Sequence, residues 1–532
     1  MNSHRQPPSY SLAVVLRCWS WLLLFCGVQL LAANSTAAAD SVDSQQLMAE
    51  RVDALLAEGW AEAGAQPAPA ADDAEFLRRA TLDLAGVIPR AAEVRAFLRD
   101  ERPDKRQRLI EELLSRPTYA RHMADLWRHM LLPGEADVQA AGGVIGFQNW
   151  LQEQFLANNR YDNIVADLLV ARGNARQNGP ALFYTALELK PEEIAANTSR
   201  ILLGVQIQCA QCHDHPFDRW TKQDFWGYAA FFARLQRREG RSDLVQVLDA
   251  NSGEVKFPDT DQTVPPKYLD AAAARPGEDS SRRRQLAIWL VSRDNPFFAK
   301  AAANRVWSIL FGRGLVEPVD DFSERNPPSH PRLLQELADY LIESGYDLRV
   351  MFGMLCRTKA YQLSSQPALA NEQPAAPELF ASMAIKSLTP EQLYDSLSLV
   401  TRRAELQRGG VNRLADPTRM DFIARFNAPT QSAAEFQSGM PQALTLMNGR
   451  AVSGVTDVQQ SPLLLSLDAP FLSHQDRVEA LFLTTLSRLP TDEERQVFVA
   501  HVAEQSDEVA ARRAVADVLW ALLNSAEFVL NH

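Results

Sequence analysis

Apolar residues recur three or four positions apart through most of this chain, in short stretches that proline interrupts. Within FLRRATLDLAGVIPRAAEVRAFL, Phe76, Ala80, Leu82 and Leu84 give way to Val94, Phe97 and Leu98. Leu109, Leu113 and Leu114 come next, with Pro89, Pro103 and Pro117 at the breaks. That period is helical, and the breaks are close together, so the pattern predicts short packed helices joined by short loops. Residues 41–62, FQNWLQEQFLANN, YDNIVADLLVARG and the stretch from Pro191 to Gly204 repeat it, as does DFWGYAAFFARL. It returns over 281–311, 331–344, 346–362, 389–404, 474–488, 491–505 and 507–530, while 365–380 and 405–420 read as loops.

One region breaks the pattern. DLVQVLDANSGEVKF alternates weakly around the turn signal Asn251-Ser252-Gly253, which predicts a small β-hairpin, and proline-rich polar segments come after it. The expected fold is therefore mainly α, with two helical domains joined by a short irregular or β segment. The expected divisions are 1–39 a signal peptide, 40–72 an N-terminal helix and linker, and 73–237 the first helical domain. Residues 238–280 form the linker and 281–532 the second helical domain. A chain of 532 residues with 46% apolar residues has enough material for such cores.

The N-terminus reads as an export signal. Arg5 and Arg17 precede the apolar run WSWLLLFCGVQLLAA, and Ala37-Ala38-Ala39 stands before Asp40, the first acidic residue. The run is shorter than the ~20 residues of a spanning helix, so cleavage after Ala39 is preferred to a retained anchor. No later run approaches a span. The expected location is exported, in the periplasm or at the cell surface. The net charge of −12 argues against nucleic acid or an anionic membrane surface as a main partner. A redox partner protein or an extracellular binding partner fits better.

Cleavage would remove two of the five cysteines, Cys18 and Cys26, and leave Cys209, Cys212 and Cys356. Three cysteines make no disulfide scaffold, and Cys356, in MFGMLCRTKAY, falls on an apolar face as core. The other two stand in CAQCHDHPFD. Cys209, Cys212 and His213 have the order and spacing of c-type haem attachment: two residues between the thiols reach both vinyl groups, and the next residue becomes an axial iron ligand. One haem c is expected. Two other readings stay open. In one, zinc or non-haem iron is held by the cysteines, His213 or His215, and Asp214 or Asp218. In the other, a disulfide staples the turn.

A second axial ligand would come from His122, Met123, His129 or Met130 in RHMADLWRHM, where the two His-Met pairs lie two helical turns apart. Phe217, Trp220, Phe225, Trp226, Phe231 and Phe232 suit either a macrocycle pocket or a packed core. Arg219 and Lys222 are candidates for pairing with propionates. In the second half, DDFSERNPPSHP gathers Asp320, Asp321, Glu324, Arg325, Asn326 and His330, the pattern of a loop held by local hydrogen bonds. Asn304, Arg305 and Trp307 are placed to brace it. Thr389 with Gln392, and Thr491 with Glu494, have the spacing of capping boxes. No nucleophile elbow, phosphate loop or HExxH occurs, and whether the chain is an enzyme is left open.

LLGVQIQCAQCHDHPFDRWTKQDFWGYAAFFAR resembles the signature of a planctomycete cytochrome-c-like domain of unknown function, and FLRRATLDLAGVIPRAAEVRAFL resembles its opening. Residues 295–365 resemble the planctomycete C-terminal domain that usually comes after it. AAEFQSGMPQALTLMNG and LFLTTLSRLPTDEERQVF continue that likeness. The resemblance implies an exported protein with a cytochrome-like first domain. It implies no established activity, and its haem assignment rests on the same five residues. The function expected is therefore electron transfer or redox sensing through one covalent haem. The alternative is a metal- or disulfide-stapled protein without redox activity that binds a partner protein or polysaccharide.

Overall fold

In a computed structural model, residues 44–532 are described apart from 134–140, 240–244, 259, 271–280, 367–374, 401–413, 415 and 427–455. The expected export signal lies outside the described residues, as do 405–413 of the expected second loop.

The chain is mainly helical. It runs α1 (44–63), α2 (Asp73–Ala85), α3 (Ala91–Arg99), α4 (Lys105–Ser115), α5 (Pro117–Leu131), α6 (Ala141–Leu156), α7 (Tyr161–Val170), α8 (Ala181–Ala186) and α9 (Pro191–Leu203). A 3-10 turn, Gln208–Gln211, and α10 (Lys222–Ala229) succeed them. Then come β1 (Leu235–Glu239), β2 (Val245–Asp249), β3 (Val255–Lys256) and β4 (Thr263–Val264). The second half holds α11 (Arg282–Leu290), α12 (Phe298–Phe311), α13 (Pro331–Glu343), α14 (Leu348–Arg357), β5 (Lys386–Ser387), α15 (Pro390–Val400) and α16 (Pro417–Phe426). It ends with α17 (Pro462–Leu467), α18 (His474–Thr485), α19 (Asp492–Ala503), α20 (Glu508–Leu523), α21 (Ala526–Val529) and β6 (Leu530–Asn531).

Local sequence sets many of these ends. Proline opens α5, α9 and α13, where a missing N–H costs nothing. Gly204 closes α9 in the left-handed region at φ +70. Both expected capping boxes form: Gln392 N donates to Thr389 Oγ1, and Glu494 N to Thr491 Oγ1.

Three expectations change. The expected hairpin does not turn at Asn251-Ser252-Gly253. Instead β2 pairs backwards with β1, Leu235 opposite Asp249 and Glu239 opposite Val245, and β3 pairs forwards with β4. The 281–311 stretch is two helices, because Asn295 Oδ1 accepts from Phe297 N and Phe298 N at 3.0 Å each and starts α12 afresh. Residues 417–420, expected as loop, open α16, with Pro417 at the first helical position.

Buried apolar side chains form two clusters. The larger runs from Ala49 through Phe76, Trp127, Phe225, Trp307 and Phe352 to Met383, so helices on both sides of the β segment share it. The smaller joins Leu82 and Ile88 of the first half to Leu388, Tyr394, Phe482, Leu519 and Phe528. Among the described residues, no helix is long and apolar enough to cross a membrane.

Candidate functional site

The CAQCH turn is built by its neighbours. After Gly204 ends α9, Ala210 N closes the 3-10 turn on Ile207 O at 2.9 Å, and Ala210 is buried. Trp226 of α10 donates its indole N–H to Gln211 O at 2.9 Å. Asp214 Oδ1 accepts from Lys222 N at 2.8 Å, and His215 N donates to Trp220 O at 2.8 Å, tying the far side to the start of α10. The backbone is thereby fastened while the side chains stay outside. Cys209, Cys212 and His213 are exposed, and both cysteines are free thiols.

The two histidines of the turn hold their protons on opposite nitrogens. His213 Nδ1 lies 2.8 Å from Asp214 O. A carbonyl only accepts, so Nδ1 carries a proton, and in the neutral ring Nε2 keeps its lone pair. Metal-ligating histidines commonly have this arrangement, the distal nitrogen fixed on a carbonyl. His215 Nδ1 instead accepts from Phe217 N at 3.3 Å, which puts the neutral ring's proton on Nε2. Asp214 and Asp218 are also engaged by backbone N–H groups, of Lys222 and Arg219. Among the described residues no three His, Cys, Asp or Glu side chains converge as a metal site.

Of the six aromatic residues near the turn, Trp220, Phe225, Trp226, Phe231 and Phe232 are buried in the larger cluster. Only Phe217 is open, at 63% exposure. Arg219 pairs with Asp270 at 2.9 Å and lies over the Trp220 ring. Lys222 Nζ stands 5.9 Å from the Phe257 ring centre.

The α5 residues make other partnerships, and no described contact joins them to residues 209–218. Met123 is buried in the larger cluster. His129 Nε2 is paired with the buried carboxylate of Glu391, which also takes Arg128 at 3.1 Å. Burial opposes the Glu391 charge, yet His129, Arg128 and Arg419 hold its carboxyl below the usual range. His122 and Met130 line a cavity of about 210 Å³ with Asp83, Arg305, Lys386, Gln392 and Asn531. Burial, and then the Lys386 charge, lower His122 to about 4. Cys356 is buried as expected, and burial pushes its thiol up.

Sequence reasoning missed the partner of the turn, which is the DDFSERNPP loop. Asp320 accepts from Arg200 Nη1 at 2.6 Å, Phe322 N donates to Gly204 O at 2.8 Å, and Arg325 lies 4.8 Å from the Phe217 ring centre. The desolvated Asp321 carboxyl is raised, with Asp320 and Asp218 adding repulsion. Asn304 donates to Val316 O and Val319 O at 2.9 and 3.2 Å, in the approach to this loop rather than within it. Arg305 reaches Ile201 O instead, and Trp307 stacks on Phe311.

Fold and site thus define a mainly helical protein whose reactive turn sits on the first half and is met by a loop of the second. The comparisons with known families divide the chain in the same way. Residues 51–237 match the family model PSCyt2, a protein of unknown function (DUF1549). Residues 282–419 match PSD1, a protein of unknown function (DUF1553). The name of the first model points to a cytochrome-like domain, and the two matches fall in the expected order. Searches of curated proteins and of solved structures found no match.

Proposed function

We propose that the protein carries one haem c, bound through thioethers from Cys209 and Cys212 with His213 on the iron, and that it works outside the cytoplasm in electron transfer or redox sensing. The observation that carries this reading is how His213 is held. Its Nδ1–H is held on Asp214 O and its Nε2 lone pair is free, directly after two exposed thiols. His215, with its proton on Nε2, is the poorer ligand. When bound, the haem would supply one-electron chemistry. The chain's own part is to present the thiols, fix the imidazole, and hold the turn through Trp226, Lys222 and Trp220. Of the α5 candidates for the sixth position, His129 is paired with Glu391 and Met123 is core, while His122 and Met130 line the cavity beside α5.

The test is a pyridine haemochrome spectrum and a haem-stained denaturing gel of protein exported from a host with cytochrome c maturation. A c-type band that Cys209→Ala and Cys212→Ala abolish together supports the proposal. Export without haem from a competent host overturns it, and metal analysis of that sample would then look for zinc or iron.

A further inference from the structure

Loop 317–330, on the second family match, touches the segment around CAQCH at both ends. Ahead of the cysteines, the Asp320 carboxylate takes Arg200 at 2.6 Å and approaches Gln206 Nε2 at 3.5 Å. Phe322 N donates to Gly204 O, and the Phe322 ring fills the space beside Gly204, where an added Cβ would lie 2.5 Å from a ring carbon. Beyond the cysteines, Arg325 covers one face of exposed Phe217. Between loop and turn lies a cleft of about 350 Å³, walled by Asp218, Trp220 and Phe297 on one side and Phe322, Glu324 and Asn326 on the other.

None of the loop's described hydrogen bonds, ion pairs or ring contacts involves Cys209, Cys212 or His213. The loop therefore acts on where those three groups stand. A turn pinned before and after its reactive residues samples fewer conformations than one pinned at the start alone.

We infer that the cofactor site is composite, with Asp320, Phe322 and Arg325 of the second half acting as positioning residues for the CAQCH turn of the first. Its purpose rests on the haem reading, but its geometry does not. The two matched families then meet in one working unit, in which the second supplies the clamp.

The test is hydrogen exchange on the full chain purified without haem, comparing wild type with Asp320→Asn, Arg325→Ala and Arg325→Lys. Losing one such partly exposed contact should speed exchange over residues 205–221 by about two- to fivefold. Exchange elsewhere should be unchanged, and Arg325→Lys, which keeps a cation over Phe217, should restore the wild-type rate. In protein matured with haem, Arg325→Ala should shift the redox midpoint and Arg325→Lys should not. Unchanged exchange over 205–221 in both Asp320→Asn and Arg325→Ala overturns the inference, as does a rise spread evenly over the chain. A wild type that takes up no haem sinks the haem reading alone, since the exchange comparison still decides the clamp.

Discussion

Lys386 is a buried cation whose loss should cost the fold heavily. Its ammonium spends all three protons inside the protein: Asp83 Oδ1 at 2.6 Å, Leu310 O at 2.8 Å and Ile309 O at 3.0 Å. The last two are carbonyls at the end of α12, where a cation also meets the negative end of the helix dipole. Asp83 in turn accepts from Asn531 Nδ2 at 2.7 Å and Tyr361 OH at 2.9 Å, so one carboxylate ties α2, the segment after α14, and β6 together. The side chains of the pair are 6% and 4% exposed. Lys386→Met would leave the Asp83 charge buried with two neutral donors, and breaking a buried pair in this way costs about 3–5 kcal/mol. The double variant Lys386→Met with Asp83→Asn removes the charge; the amide oxygen keeps the acceptor for Asn531, and its NH2 can donate to the Tyr361 hydroxyl, which also accepts. It should lie within about 2 kcal/mol of wild type, because the unpaired charge makes up most of the single variant's penalty. Urea unfolding at pH 7, monitored by circular dichroism, gives both values from the midpoints. A single-variant loss under about 1 kcal/mol, the contribution of an exposed pair, would refute the reasoning. So would a double variant no more stable than the single.

Two further substitutions test neighbouring parts. His122, lowered to about 4, is neutral in the fold at pH 6, whereas in the unfolded chain it takes a proton near pH 6.5. The unfolded state therefore binds the proton first, and acidification from 6.5 towards 4 should remove up to about 3 kcal/mol, at about 1.4 per unit. Urea midpoints at pH 7, 5.5 and 4.5 should show that slope in wild type and a shallower one in His122→Gln; equal slopes would rule His122 out. Gly204→Ala places a Cβ at φ +70 and 2.5 Å from the Phe322 ring, so it should cost more than about 1 kcal/mol by the same urea assay. It should also speed alkylation of Cys209 and Cys212, and an unaltered thiol rate would separate Gly204 from the turn.

What could be read from the sequence was local. The period of Leu109, Leu113 and Leu114 gives α4, and threonine three residues before Gln392 or Glu494 gives a helix start. The haem expectation for CAQCH comes from its spacing alone. What could not be read depends on residues far apart. Asp320 meets Arg200 across 120 positions, and Lys386 meets Asp83 across 303. Asp320 stands in a noticeable charged loop, but nothing local points to Arg200 as its partner, and Lys386 and Asp83 look like ordinary surface charges. The hairpin failed for a related reason. Asn251-Ser252-Gly253 is a sound turn signal, but β2 found its partner upstream in β1, where Leu235 pairs with Asp249, and a turn residue does not choose between two available strands. The His213 tautomer was hidden too, since it depends on the path of the Asp214 carbonyl.

The distribution of buried charge bears on where function resides. Arg78 donates to four carbonyls, Thr485 O, Glu527 O, Phe528 O and Leu530 O. Arg79 donates to Tyr361 O and Leu363 O, and Arg283 to Leu169 O and Ala171 O. Arg78 and Arg283 satisfy carbonyls at or just past helix ends, and Arg79 satisfies those of the turn after α14, so their burial is accounted for by the fold. The CAQCH turn shows the reverse. Its backbone is fastened from several sides, while two thiols and an imidazole nitrogen face outward and add nothing to either core. If the protein is exported as proposed, two exposed thiols three residues apart are an oxidation liability. Covalent occupation by a cofactor removes that liability, and a rigid backbone under reactive side chains is what such occupation requires.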